Sequence, residues 1–129
     1  FFKKKLEIKN KIAKKYFLSF KNNKNIICQD NYINFKKEIP GRYVYPILAN
    51  NRNKLQKFLA SKNIETKIFH LPLINNTPIF DSLITEKTVN AQRLVNKLLI
   101  LPLNEKLIDK EVDYLTTNVN KFYKINKLK

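Results

Sequence analysis

The chain has 129 residues, 43% of them hydrophobic, which is enough for one small domain with a modest core and too few for two independent ones. Its 26 Lys and Arg against 10 Asp and Glu give a formal net charge of +16, and the single cysteine, Cys28, excludes an internal disulfide and a cysteine-built zinc site. One glycine excludes the phosphate-cradling loops that need glycine at several positions, so Walker, Rossmann and KH-type signatures are absent.

The apolar positions Phe2, Leu6, Ala13, Tyr16, Phe17 and Phe20, widened by Ile8 and Ile12 and interleaved with lysines, predict an amphipathic helix from about Phe2 to Phe20. The Asn-rich run from Lys21 to Asn34 and the turn through Lys36-Lys37-Glu38 to Pro40-Gly41 read as connecting structure, with a short strand at Ile26-Ile27-Cys28. Arg42 to Leu48 reads as a strand with Tyr43, Tyr45 and Ile47 on one face. Pro46 cannot donate to a ladder, so this strand is expected at a sheet edge or with that position facing outward. Asn50 or Asn51 caps a second helix burying Leu55, Phe58 and Leu59, and Asn63 ends it in the left-handed conformation with Ile64 folded back on the last turn.

Glu65 to Phe69 is expected as a strand, followed by a loop bracketed by Pro72 and Pro78. A third helix from about Thr88 turns Ala91, Leu94, Val95 and Leu98 inward, and Leu99 to Leu103 is a short apolar strand stopped near Pro102. The last helix opens at Asp109, whose charge suits a helix N-terminus, and buries Val112, Leu115, Val119 and Phe122, leaving a frayed tail from Lys124. Helices alternating with short strands give an α+β fold of the split β-α-β kind.

Few residues offer chemistry. His70 is the only histidine, Ser61-Lys62 sits at an exposed helix end, and no carboxylate pair has a catalytic spacing. Cys28 reads as a small buried hydrophobe. The charge would suit nucleic acid, but it is nearly all lysine, with only Arg42, Arg52 and Arg93. Abundant Lys, Asn, Ile, Phe and Tyr with scarce Gly and Ala is also what an A/T-rich coding sequence gives. Tyr43 and Tyr45 on one strand face would be the start of an RNA-stacking platform, although the glycine-containing motif of such sheets is missing. No run of about 20 apolar residues would span a bilayer, and no signal-peptide pattern opens the chain, so a soluble, cytoplasmic protein is expected. The absence of Met and the Phe1-Phe2 start suggest a piece of something longer.

The order of motifs resembles the C-terminal small domain of the DegT/DnrJ-type sugar aminotransferases. Tyr45-Pro46-Ile47-Leu48, Asn51-Arg52, Leu55, Phe58-Leu59 and Lys62-Asn63-Ile64-Glu65-Thr66-Lys67 follow that family's strand, Arg-opened helix and "gIET" strand. The resemblance continues through Ala91 and Leu94 to Leu99-Ile100-Leu101-Pro102-Leu103, which matches its "ILSLP" strand, and Glu111-Val112-Asp113-Tyr114-Leu115 is like its "EEIDYV" helix. Phe2 to Tyr16 resembles the long helix leading out of the large domain.

The resemblance implies the small domain of a fold-type I enzyme, a short antiparallel or mixed sheet with helices packed on it. It implies one domain over 1–129, with 1–22 a linker helix from a large domain that is absent and 40–125 the α/β core. The activity implied is transfer of an amino group, from glutamate, to a nucleotide-linked keto sugar. Pyridoxal phosphate is the implied cofactor of the parent enzyme, bound with the Schiff-base lysine in the large domain of a homodimer. The family's His-Lys and Gly-Glu-Gly-Gly run is not in this chain, so the fragment itself is expected to bind no cofactor and to have no catalytic residue. Its loop departs from the pattern: Ile74 or Asn75 stands where the family has histidine, and His70 lies four or five residues earlier. Lys67, His70 and Asn75 are the expected substrate-binding residues, with no metal and no membrane involved. The alternative is a basic nucleic-acid-binding split β-α-β module, and a third reading is a non-catalytic interaction domain that dimerises through exposed apolar surface.

Overall fold

The computed structural model describes residues 2–34, 39–68, 72–80 and 88–126. In chain order they form α1 (Phe2–Phe20), β1 (Ile26–Cys28), β2 (Tyr45–Ala49), α2 (Arg52–Ala60), α3 (Val89–Lys97), β3 (Leu98–Leu101) and α4 (Asp109–Ile125). Short 3-10 turns occupy Gln29–Tyr32 and Ile74–Asn76. The fold is α+β: the strands form one antiparallel sheet in the order β1-β2-β3.

Strand alternation sends one set of side chains to a single sheet face. The register aligns Ile26 with Ala49, Cys28 and Leu99 with Ile47, and Leu101 with Tyr45, and all seven are buried. Onto this face pack Ile12, Ala13, Tyr16 and Phe20 of α1 with Val112, Leu115, Val119, Phe122 and Tyr123 of α4, and Leu55 and Leu59 of α2 close the same cluster. The helices α1 and α4 run side by side in the same direction. Lys11 and Lys15 reach Asp109 and Asp113 in the first turns of α4, while Asn120 further along donates to the Ser19 carbonyl at 3.1 Å. Two phenols fasten this layer to the sheet ends: Tyr16 donates to the Pro102 carbonyl at 2.8 Å and Tyr123 to the Asn50 carbonyl at 2.7 Å.

Local chemistry sets the helix ends. Asn51 and Asn63 flank α2 at φ of 55° and 58°, the left-handed region that asparagine tolerates better than most residues. The Asn63 N–H reaches the Ala60 carbonyl and the Ile64 N–H the Leu59 carbonyl, each at 3.0 Å, a Schellman ending with buried Ile64 folded back as expected. At α4, the Glu111 carboxylate accepts the Ile108 N–H at 3.0 Å, and Asp109 and Glu111 lie at the positive end of the helix dipole.

Three expectations change, and for Pro46 the second of two alternatives holds. Pro46 lies in the central strand, not at an edge, with its nitrogen on a side that no strand pairs. Its partner Ile100 spends both backbone groups on Lys67 on the opposite side, at 3.1 and 2.8 Å, so Pro46 occupies a non-hydrogen-bonded position of the β2–β3 ladder. Its nitrogen therefore points toward β1, whose pairing has already ended at Cys28 with Ile47. Glu65 to Phe69 contributes a single bridge at Lys67 rather than a strand, and Phe69 lies outside the described residues. Lys67 and β2 thus flank β3, which is antiparallel to both, a reduced form of the split β-α-β arrangement. Leu94 is 45% exposed, and of the inward positions assigned to α3 only Val95 is buried within it, because that helix covers the thinner second face of the sheet. Tyr43 precedes β2 and is 86% exposed while Tyr45 is fully buried, so the two tyrosines form no stacking platform.

The sequence also gave no warning of a buried ion pair. Arg42, at φ 46° directly after the only glycine, sends both terminal nitrogens to the Asp30 carboxylate, with both side chains nearly sealed from solvent. Its Nε donates to Asn10 Oδ1 at 3.1 Å, and Asn10 Nδ2 in turn donates to the Pro40 carbonyl at 3.3 Å. The guanidinium also lies 5.7 Å from the centroid of the Tyr45 ring.

Removing one partner of a buried pair strands the other charge, so Asp30→Ala is expected to cost roughly 3–5 kcal/mol, measured as a lowered urea midpoint. Lys11→Ala, at an exposed pair, should leave that midpoint nearly unchanged. Burial pushes the Cys28 thiol up to about 11, so iodoacetamide at pH 8 should leave the native protein unlabelled and label it fully in urea.

Candidate functional site

The expected site residues lie on the chain between α2 and α3. Lys67 is held by its backbone, through the paired bonds to Ile100 on the free side of β3. Its amine is 3.7 Å from Glu65, and both side chains are largely exposed. His70 lies outside the described residues.

Asn75 sits in the 3-10 turn after Pro72. Its amide donates to the Thr88 hydroxyl at 2.9 Å, where α3 begins. Next to it, Asn76 donates to Gln92 at 2.8 Å, and Gln92 donates to Asn96 at 3.1 Å. Thr77 closes the turn on the Ile74 carbonyl at 2.6 Å. This amide chain laces the 72–80 loop to the first two turns of α3 and leaves Ile74 and Ile79 70% and 79% exposed. Lys67 and Asn75 are thus fixed by different elements, and among the described residues no hydrogen bond joins them.

Gln92, Asn76 and Thr88 were not among the expected site residues. They make an ordered loop out of polar residues that a sequence shows only as spacer. No signal in the sequence marked Gln92, whose carbonyl oxygen receives Asn76.

Schiff-base chemistry needs a buried amine whose pKa is pushed down. Among the described residues every lysine is half-buried or exposed. Lys15 is displaced upward, chiefly by its hydrogen bond to Asp113, which is the wrong direction for a nucleophile. Lys62, half-buried at the end of α2, lies 5.7 Å from the Phe58 ring centroid. Cys28 and Tyr45 are likewise pushed upward by burial, which holds both as neutral core groups. The described residues therefore do not fit a pyridoxal phosphate site. Among them no three His, Cys, Asp or Glu side chains cluster as metal ligands, and no helix is long and apolar enough to cross a membrane.

Comparison with known proteins places this geometry. Residues 2–120 match the sequence pattern of the DegT/DnrJ/EryC1/StrS aminotransferase family. A pleiotropic regulatory protein of Geobacillus stearothermophilus is 29% identical over 94 residues, which is 68% of this chain and 25% of that protein. An aminotransferase of Helicobacter pylori involved in the biosynthesis of pseudoaminic acid superposes with a TM-score of 0.78 at 20% identity, over 91% of this chain and 32% of the other. A Streptococcus pneumoniae protein assigned as a sugar aminotransferase, in its PLP form, gives 0.68 at 22% identity, over 92% and 32%. The chain thus spans a quarter of the curated relative and about a third of the solved structures.

Because Lys67 acts in the fold through its backbone, Lys67→Ala is expected to shift stability by less than about 0.5 kcal/mol. Lys67→Pro, which deletes the N–H donated to Ile100, should cost on the order of 1–3 kcal/mol, both read by urea unfolding.

Proposed function

The chain belongs to the DegT/DnrJ/EryC1/StrS aminotransferase family, and from that premise we propose that it is the C-terminal third of a sugar aminotransferase. The reaction proposed for the parent enzyme is transfer of an amino group, from glutamate, to a keto sugar carried on a nucleotide. The observation that carries this reading is the family match over 2–120, which takes in α1, all three strands and the greater part of α4. Pyridoxal phosphate supplies the electron sink for such chemistry when bound, and this reading assigns it to a large domain of the same protein. The proposed assembly is a homodimer of the full-length enzyme.

This chain's share of the work is to pack against the large domain and wall the substrate cleft. The linker role proposed for 1–22 has to accommodate a helix that also contributes Tyr16 and Phe20 to the core. Lys67 offers an exposed ammonium at the sheet edge to the phosphates of a bound nucleotide, and His70 is assigned to the same neighbourhood. Asn75 works one step back, holding the 72–80 loop against α3 so that the cleft wall keeps its shape. No transamination step is assigned to any residue here.

Incubated with pyridoxal phosphate and glutamate, this chain is expected to give no turnover, and borohydride trapping should spread label over several lysines. A single lysine carrying stoichiometric label, with amino transfer, would contradict the division of labour. In the full-length enzyme, Lys67→Ala should raise KM for the nucleotide sugar roughly three- to tenfold with kcat changed less than about twofold, as expected for lost uniform binding.

A further inference from the structure

The edge of β3 turned away from β2 carries the backbone groups of Leu98, Ile100 and Pro102, because alternate residues of a strand point their N–H and C=O the same way. Each is taken by a different element. Arg52, the first residue of α2, donates Nη1 to the Leu98 carbonyl at 2.9 Å, and the Leu98 N–H closes α3 on the Leu94 carbonyl. The Tyr16 hydroxyl, reaching from α1 through the core, donates to the Pro102 carbonyl at 2.8 Å, and proline has no N–H to offer. Ile100 alone of the three keeps both groups for another strand, and Lys67 takes both, at 3.1 and 2.8 Å.

That occupancy matters because, among the described residues, the segment after α2 holds this edge by a single bridge. Buried Ile64 and the bond from Gln56 to the Thr66 carbonyl, at 3.4 Å, bring the segment to β3 but do not choose its partner there. A shift of two residues would carry Lys67 roughly 7 Å along the strand and keep the same side chains on the same faces, so burial does not oppose it. The supply of hydrogen bonds does. At Leu98 or Pro102 an incoming N–H finds the carbonyl already bonded to a side chain, and neither residue has an N–H to return.

Both donors are fixed posts. Tyr16 is fully buried with its ring 5.1 Å from that of Tyr45, and burial pushes its phenol upward so that it stays a donor. Arg52 is 7% exposed, and it meets α3 at the C-terminal, negative end of that helix, where a cation is favoured.

We infer that Tyr16 and Arg52 are positioning residues for Lys67: by occupying the carbonyls on either side they leave Ile100 as its one docking point on β3, and so fix where the exposed Lys67 ammonium stands. The inference rests on the reading that Lys67 meets the phosphates of a bound nucleotide. It adds that residues of α1 and α2 set where that contact is made.

Amide exchange on the whole chain reads the docking point. Tyr16→Phe, which keeps the ring and removes only the hydroxyl, and Arg52→Met should each speed exchange at Lys67 and Ile100 about tenfold more than in the middle of α4. Arg52→Lys, which still donates to Leu98, should restore most of that protection. In the full-length enzyme Tyr16→Phe should raise KM for the nucleotide sugar about threefold with kcat changed less than about twofold. It should add nothing to the rise caused by Lys67→Ala, since a side chain that is gone cannot be misplaced. Equal acceleration at every amide would make both residues general stabilisers and overturn the inference. So would unchanged exchange at Lys67 and Ile100, or KM effects of Tyr16→Phe and Lys67→Ala that simply multiply. Local loss of protection with a KM indifferent to Lys67→Ala would uphold the docking point and remove the phosphate contact from the function proposed above.

Discussion

The structure depends on one buried sheet face. Three strands of three, five and four residues are too short to stand alone, and they persist because two long parallel helices cover one side of them. That cover has little slack. Ala13 and Ala49 are fully buried small residues, one in the covering helix and one at the end of the central strand, and the Tyr16 and Tyr45 rings meet at 5.1 Å between centroids. A one-residue slip of β2 would turn Tyr45 and Ile47 to the second face and remove the surface on which α1 and α4 rest. Among the described residues the buried hydroxyl of Tyr45 makes no hydrogen bond of ordinary geometry, and it sits beside Cys28 and Asp30.

Long periodic segments were legible and short polar ones were not. The bounds of α1 and the four inward positions of α4 follow from 3.6-residue spacing over 19 and 17 residues, where many apolar positions agree. The end of α2 followed from one residue, since Asn63 adopts a conformation that few others tolerate. Pro46 left two placements open because its cost depends on which neighbour its nitrogen faces, and that is decided by where β1 stops. Leu94 misled because an apolar residue on a helical stripe has no partner if the surface beside it is bare. The breadth of the α1 stripe concealed two faces, one entering the core through Ile12, Tyr16 and Phe20 and the other lining a groove through Leu6 and Leu18, with Phe17 touching both.

The candidate site was legible only as an address. The resemblance pointed to the segment from Lys67 to Asn75, and nothing in its composition marks it out. What holds that segment, the Asn75–Thr88 and Asn76–Gln92 bonds, joins residues 13 and 16 positions apart by amides with no distinguishing context in the sequence. The pair of Asp30 and Arg42 was hidden for the same reason: twelve residues separate two charges whose burial is set by the fold around them. Both networks brace parts of the chain that border open surface, the loop near α3 and the wall beside α1. A rigid small scaffold with braced edges suits a piece that works by packing against something larger.

The central claim is that stability resides in the α1, α4 and sheet layer, while α3 and the 72–80 loop are held mainly by exposed side-chain bonds. Native-state hydrogen exchange on the isolated chain tests it directly. The account predicts that amides of β2, β3 and the middle of α4 exchange together at the slowest, globally limited rate, with α3 and residues 72–80 at least about a hundredfold faster. Protection of α3 equal to that of α4 would contradict it.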